Sequence, residues 1–356
     1  MAEYTKKEAR EWARANMRGV ANVVIPTFTQ DMSGVNERAT RHDIRKEIEY
    51  GFWGTLLVSE TATTFEEYAR FSEWAADEAR GRLRLIHHSS FNSLEESIRA
   101  VKRAEAAGVD LVLLSYPPGF YPQGQDDIFE YTRAFCEATS LGVMLFPVPL
   151  WGFERLHPAG MAPETIARIV KEIPNIVAIK AEGGMPTIAG FVEAHHRFSK
   201  DVVVTYPVED QGLMLASLVP MQFTYPVEDQ GLMLASLVPM QFMGTSNSEY
   251  YGGMVPRIFG LIQNGQFEEA MKYYWQIHPA RMVNQAQNAI MGANFVHRML
   301  WKYQGWLNGF NGGPLRAPTM RLTHNQMRAL RQGLAAAGIE PTGDGDEKFF
   351  IGRNPG

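Results

Sequence analysis

Residues 175–184 read NIVAIKAEGG, and the order of residue types in this stretch decides the fold. Ile176 to Ile179 form a short apolar run rich in β-branched side chains, of strand rather than helix length. Lys180 closes the run, and Gly183 and Gly184 follow it in a loop. Seven further runs share this texture: Ala21 to Pro26, Gly54 to Val58, Leu83 to His88, Leu111 to Ser115, Val143 to Val148, Val202 to Tyr206 and Met240 to Thr245. Turns and segments of helical period separate them, the pattern of a parallel sheet with crossover helices. In SLEESIRAVKRAEAAG, for example, Ile98, Val101 and Ala104 to Ala106 mark one apolar face, and Gly108 supplies a stop. Eight strand and helix units predict an α/β fold, a (β/α)8 TIM barrel with a C-terminal helical extension, rather than an open doubly wound sheet.

On this reading residues 1–18 are an N-terminal helix, 19–262 the barrel, and 263–356 C-terminal helices and a tail. Three helical segments are expected in the last part: FEEAMKYYWQIHPARMV, NQAQNAIMGANFVHRMLWKYQ and THNQMRALRQGLAAAG. Their Met, Trp and Tyr side chains read as a packing surface, against the barrel or a second subunit, rather than as a cofactor box. A chain of 356 residues with 45% hydrophobic content can bury one large core.

A net charge of -5 and the lack of any long Lys/Arg cluster argue against a nucleic-acid partner. The opening MAEYTKKEAREWARANM is charged and amphipathic, unlike a signal peptide. No run approaches the roughly 18 apolar residues of a membrane span, so no membrane partner is expected. Cys136 is the single cysteine, which excludes an intrachain disulfide and a thiolate metal cluster and points to a cytoplasmic location.

TYPVEDQGLMLASLVPMQF occurs twice without a difference, at 205–223 and 224–242. Identity of this degree marks a recent in-frame duplication, natural or introduced, rather than an ancient solenoid, whose repeats are diverged and numerous. A ninth strand would not fit the strand number and shear of an eight-stranded barrel. Eight strands are therefore expected to persist, with the surplus copy accommodated outside the sheet near the seventh crossover.

Carboxyl ends of parallel barrel strands form the active-site face. A lysine there, projecting into a partly desolvated mouth, is expected to lose its proton more easily and to attack a ketone as an amine. The competing reading is a surface lysine that caps the strand or pairs with Glu182.

The stretch NIVAIKAEGG resembles the Schiff-base strand of the dihydrodipicolinate synthase and N-acetylneuraminate lyase superfamily, class I pyruvate-type aldolases that include hydratase-aldolases. GVANVVIPTF resembles that family's first strand, closest to the Pro-Thr variant of aromatic hydratase-aldolases. LIHHSSFNSLEESIRAVKRAEAAGVDLVLLSYPP resembles its third and fourth strand units, and NGGPLRAPTMRLTHNQMRALRQGLAAAGI its C-terminal helices. The resemblance runs in order from about Gly19 to Gly338, interrupted by the duplication. It implies a Schiff-base lyase (aldolase or hydratase-aldolase) acting on a keto acid or ketone through Lys180, with no cofactor beyond the covalent imine. It also implies a homo-oligomer, tetramer or dimer.

Departures mark a divergent member. Where the family has Tyr-Asn-Val-Pro, this chain has Phe146-Pro147-Val148-Pro149, so the tyrosine that relays protons in the family is replaced by a ring that cannot. The family's Gly-Thr-Thr-Gly-Glu loop is replaced by Leu56 to Thr61, so a substrate carboxylate is expected to rest on Ser59, Thr61 or Thr27. Tyr116 and Glu60 are the expected catalytic partners of Lys180. Tyr121, His88 and the carboxylates Glu182, Asp210 and its repeat copy Asp229 are further strand-end candidates for acid or base work or for holding substrate. For each, a loop-tying hydrogen bond is the plainer role.

Trp53, Phe146, Trp151 and Phe153 flank expected strand ends and favour an aromatic or apolar substrate over a sugar, ordinary packing being the alternative. A metal site built on His87, His88, Glu60, Glu182 and Asp210 is disfavoured, because adjacent strand residues face opposite sides and no His-x-His spacing is present. Two other functions compete: a hydrolase or isomerase that uses strand-end carboxylates without an imine, and an inactive ligand-binding paralogue.

Overall fold

The computed structural model describes residues 3–148, 151–180, 188–206, 213, 240–244, 246–290 and 298–356. Its strands are β1 Gly19–Val24, β2 Gly54–Leu57, β3 Arg84–Ser89, β4 Leu111–Leu114, β5 Gly142–Leu145, β6 Ile176–Lys180, β7 Val203–Thr205 and β8 Phe242–Met243. They pair in the order β7-β6-β5-β4-β3-β2-β1-β8, and every described register is parallel. At the two ends of that row, β7 and β8 meet through Thr205, whose Oγ1 lies 3.5 Å from Gly244 O and 3.3 Å from Gly244 N. This is the (β/α)8 barrel expected from the eight runs.

Crossover helices follow the strands: α1 Ala9–Asn16 before the sheet, then α2 Glu37–Glu49, α3 Phe65–Ala79, α4 Leu94–Ala107, α5 Gln125–Glu137, α6 Pro163–Glu172 and α7 Ile188–Phe198. Beyond β8 come α8 Met254–Gln263, α9 Phe267–Gln276, α10 His278–Ile290, α11 Arg298–Leu307 and α12 His324–Ala336. Local chemistry sets their limits. Asn36 caps α2 by accepting Ala39 N–H at 3.1 Å. Thr64 and Glu67 close a reciprocal capping box on α3. Gly108 ends α4 at φ +94°, a conformation that glycine adopts without steric cost.

Prolines explain where element limits differ from the sequence expectation. The first strand stops at Val24 and the fifth at Leu145, short of Pro26 and Pro147, whose missing N–H cannot join a ladder. The first expected C-terminal helix divides at Ile277 into α9 and α10. Pro279 cannot donate a mid-helix hydrogen bond but fits the first turn of α10.

Contacts divide the chain into two compact units. The first, Met1–Val20 with His88–Ala106 and Asp110–Gly244, holds the parallel row β4 to β7. Its register aligns Leu114 with Leu145, Leu145 with Ile179, and Lys180 with Thr205. In the same unit α1 anchors the start of β6: Arg10 donates to Ile176 O at 2.9 Å and to Ile173 O at 2.8 Å. The second unit, Ala21–His87 with Ala107–Val109 and Thr245–Gly356, contains α2, α3 and the C-terminal helices. Here α2 turns Ala39 and Ile44 inward together with two carboxyl side chains, Asp43 and Glu47.

The duplicated stretch contributes to both ends of the sheet. Thr205 of the first copy belongs to β7 and Phe242 of the second to β8, so eight strands persist among the described residues. Most of the two copies, and with it the place of the surplus residues, lies outside the described residues.

Candidate active site at the carboxyl end of the sixth strand

Lys180 ends β6 and is 5% exposed. Its Nζ lies 4.1 Å from the centroid of the Phe146 ring. Extending the β4–β5 register by one residue aligns Ser115 with Phe146, and the β5–β6 register aligns Phe146 with Lys180. Ser115, Phe146, Lys180 and Thr205 therefore form one row across four strands and share one face, because registered neighbours in a parallel sheet point the same way.

Two neighbours show which face this is. The Tyr68 hydroxyl of α3 lies 3.3 Å from His87 Nδ1, so His87 points toward the helical layer. Strand alternation then turns His88 into the interior. His88 Nε2 lies 2.9 Å from Ser115 Oγ, with both side chains buried. Tyr116, one residue past Ser115, again faces outward, its hydroxyl 2.7 Å from Thr132 Oγ1 of α5.

That hydrogen bond defines Tyr116. The side chain is fully buried, and burial pushes its phenol well above the ordinary tyrosine range. Trp151 and Phe153 meet its ring edge-on at centroid distances of 6.0 and 5.2 Å, and Phe120 stacks at 5.6 Å. Trp151 joins this cluster to Phe146: its indole N–H donates to Phe146 O at 2.8 Å, and the two rings cross at 82°. Tyr121, by contrast, is 69% exposed, with the Arg155 guanidinium 3.6 Å from its ring centroid.

The remaining expected residues that are described lie in the second unit. Thr27, just past β1, donates to Gly312 O at 2.9 Å and accepts from Lys302 Nζ of α11 at 2.5 Å. Ser59 is buried after β2, and its carbonyl accepts Thr61 N–H at 2.9 Å. Thr61 is buried, and its hydroxyl has no hydrogen-bond partner among the described residues. Glu60 forms an ion pair with Arg298 of α11. Trp53 precedes β2, at the strand's amino end rather than at the catalytic carboxyl end, which corrects its expected place near the mouth. Glu182, Asp210 and Asp229 lie outside the described residues. Among the described residues no group of three or more His, Cys, Asp or Glu side chains is placed to hold a metal ion.

Sequence reasoning missed a buried polar cluster in the second unit. Lys302 also donates to Pro26 O at 3.0 Å, and burial lowers it to about 7 against the opposing pull of Asp43. Asp43 accepts Asn311 N–H at 2.6 Å and is raised by burial to about 6. Asn22 donates to Glu47 at 2.7 Å and accepts Ser248 N–H at 2.8 Å. Burial lifts Glu249 to about 8, and burial together with the charge of Glu249 lifts Glu47 well above the carboxylate range. The available signal was a lone lysine within the apolar face of RMLWKYQGWL.

An eight-stranded parallel barrel with a buried lysine at the exit of its sixth strand defines a narrow class of protein. Residues 16–208, more than half of the chain, match the dihydrodipicolinate synthetase family, and the chain belongs to it. It is 35% identical over 164 residues to the 4-hydroxy-tetrahydrodipicolinate synthase of Bacillus subtilis, covering 45% of this chain and 54% of that protein. It is 37% identical over 160 residues to the Bacillus velezensis enzyme of the same name, covering 44% and 53%. The chain thus spans about half the length of the curated relatives it matches. Over the whole fold it is similar to dihydrodipicolinate synthase from Aquifex aeolicus, with a TM-score of 0.72, 18% identity, and 91% and 99% of the two chains covered. It is also similar to N-acetylneuraminate lyase from Fusobacterium nucleatum, with a TM-score of 0.68, 16% identity, and 90% and 98% covered. The expected superfamily and barrel are thereby borne out. No helix among the described residues is long and apolar enough to cross a membrane.

Proposed function

We propose that this chain is a class I lyase that forms an imine between Lys180 and a keto acid or ketone, then makes or breaks a bond to the adjacent carbon with the iminium as electron sink. The observation that carries the reading is the buried amine of Lys180 at the carboxyl end of β6, held over the Phe146 ring. Burial strips water from the amine, and a strand exit is where barrel enzymes hold their reacting groups. Membership of a family whose named relatives are synthases of the aldolase type supports the same chemistry.

The ring cluster supports an aromatic or apolar substrate. Phe146 lies against Nζ and Trp151 packs edge-on against Phe146, and neither ring brings the several hydroxyl partners a sugar needs. An assembly of identical chains, tetramer or dimer, belongs to the proposal and is read by light scattering.

Borohydride reduction in the presence of pyruvate or 4-phenyl-2-butanone should leave a stable adduct on Lys180, located by peptide mass mapping. Lys180→Ala should lose both adduct and turnover. Turnover retained in Lys180→Ala, with no adduct in the native chain, would establish an imine-free reaction; saturable ligand binding without product would mark an inactive paralogue.

A further inference from the structure

We propose that Ser115 is a catalytic residue of the imine-forming step and that His88 acts through it, the two making up the proton relay for Lys180. The assignment rests on the Schiff-base reading above. Making an imine from an amine and a ketone moves two protons from nitrogen to oxygen. The amine adds to the carbonyl carbon, the carbon–nitrogen bond forms, and the carbonyl electron pair passes to oxygen. The adduct's nitrogen must shed one proton and its oxygen gain one to give the neutral carbinolamine, and a second proton must pass the same way for the hydroxyl to leave as water. No outside acid, base or oxidant enters the balance, but a group able to hold the proton between the two events is required.

Phe146, the registered neighbour of Lys180 on one side, has no transferable proton. Thr205, the neighbour on the other side, is engaged with both backbone atoms of Gly244. Ser115, next in the row beyond Phe146, carries a hydroxyl on the same face. Lys180 Nζ lies over the ring of Phe146, which stands between Lys180 and Ser115 in the row.

A serine hydroxyl alone cannot store a proton near neutral pH, but imidazole can. His88 Nε2 lies 2.9 Å from Ser115 Oγ, close enough to accept the hydroxyl proton. In each transfer Ser115 takes a proton from the adduct nitrogen as it passes its own to Nε2, and the imidazolium returns a proton through Ser115 to the adduct oxygen. The first transfer gives the carbinolamine; in the second the hydroxyl gains its proton and leaves as water, and the imine forms with the relay restored. The His88–Ser115 hydrogen bond closes this path within one structural unit.

The test is the rate of borohydride trapping with pyruvate and with 4-phenyl-2-butanone, measured across pH. Ser115→Ala should reach the same final adduct as the native chain about 100-fold more slowly, the lower range for a lost acid–base group. Ser115→Thr, which keeps a hydroxyl, should recover most of the rate. His88→Gln should slow trapping and abolish the limb of the pH profile that tracks an imidazole. Trapping at the native rate in Ser115→Ala overturns the relay and leaves the imine reading intact. A His88→Gln profile identical in shape to the native one likewise overturns it. A native chain that traps neither ketone overturns the imine reading, and the relay with it.

Discussion

Glu249→Gln should flatten the pH dependence of stability in a window that the structure defines. Glu249 and Glu47 are buried, and one carboxyl oxygen of each has no hydrogen-bond partner among the described residues. Burial lifts Glu249 to about 8, lifts Glu47 well above its ordinary value, and lifts Asp43 to about 6. A carboxyl raised in this way keeps a proton in the fold that the unfolded chain has released. Its stabilising contribution is complete below its ordinary value, near 4.5 for Glu249, and is lost as pH rises through its folded value.

Each such group gives a slope of about -1.4 kcal/mol per pH unit between those limits. Lys302, lowered to about 7 from 10.5, has the opposite sign, and its window opens only near neutrality. Between about pH 6 and about pH 7, then, Asp43 is largely titrated, Glu249 contributes about -1.4 kcal/mol per pH unit, and Glu47 acts in the same direction. Removing Glu249 takes away its own share, so the variant's slope should be shallower than the native one by about 1.4 kcal/mol per pH unit. Urea unfolding followed by tryptophan fluorescence at closely spaced pH values measures it. Equal slopes in the two proteins would show that Glu249 is ionised in the fold and would refute the reasoning.

Two further outcomes follow from packing. Lys302→Met should cost about 3 kcal/mol by leaving Asp43 buried without its countercharge and Pro26 O and Thr27 without their donor. Asp43→Asn in the same chain should recover part of that loss, and strictly additive losses in a double-mutant cycle would deny the coupling. Gly142→Ala should destabilise by about 1 to 3 kcal/mol, because a Cβ there would stand 2.9 Å from Val177 Cγ1 and 3.0 Å from Leu111 Cδ2. An unchanged midpoint of thermal unfolding would show that β5 has slack at its start.

The barrel was legible because each strand is written locally: an apolar run, a turn, a helical period. NIVAIK alone carries strand, face and candidate nucleophile, and Ile176–Lys180 is indeed β6. What sequence could not supply was adjacency. His88 could be named as a strand-end candidate, but its hydrogen bond to Ser115 depends on side chains of two neighbouring strands coming together. Tyr116 looked like a replacement acid from its place after β4, yet alternation turns its hydroxyl to Thr132 of α5. Glu60 offered a carboxylate whose partner, Arg298, is remote in sequence. Lys302, Asp43, Glu47 and Glu249 escaped for a related reason: their charges are interpretable only once α2 and α11 are known to bury them.

The described residues drawn from the two repeat copies never use the same repeat position twice. The first copy supplies its opening Thr205 and Tyr206 and its internal Leu213, and the second supplies its closing Met240, Gln241 and Phe242. Removing any one repeat length of residues from within the tandem leaves one and the same shorter polypeptide. In that polypeptide every one of these side chains is still encoded, with Val204 ahead of the segment and Met243 behind it. Loss of one repeat length would therefore rewrite none of the described residues of the segment.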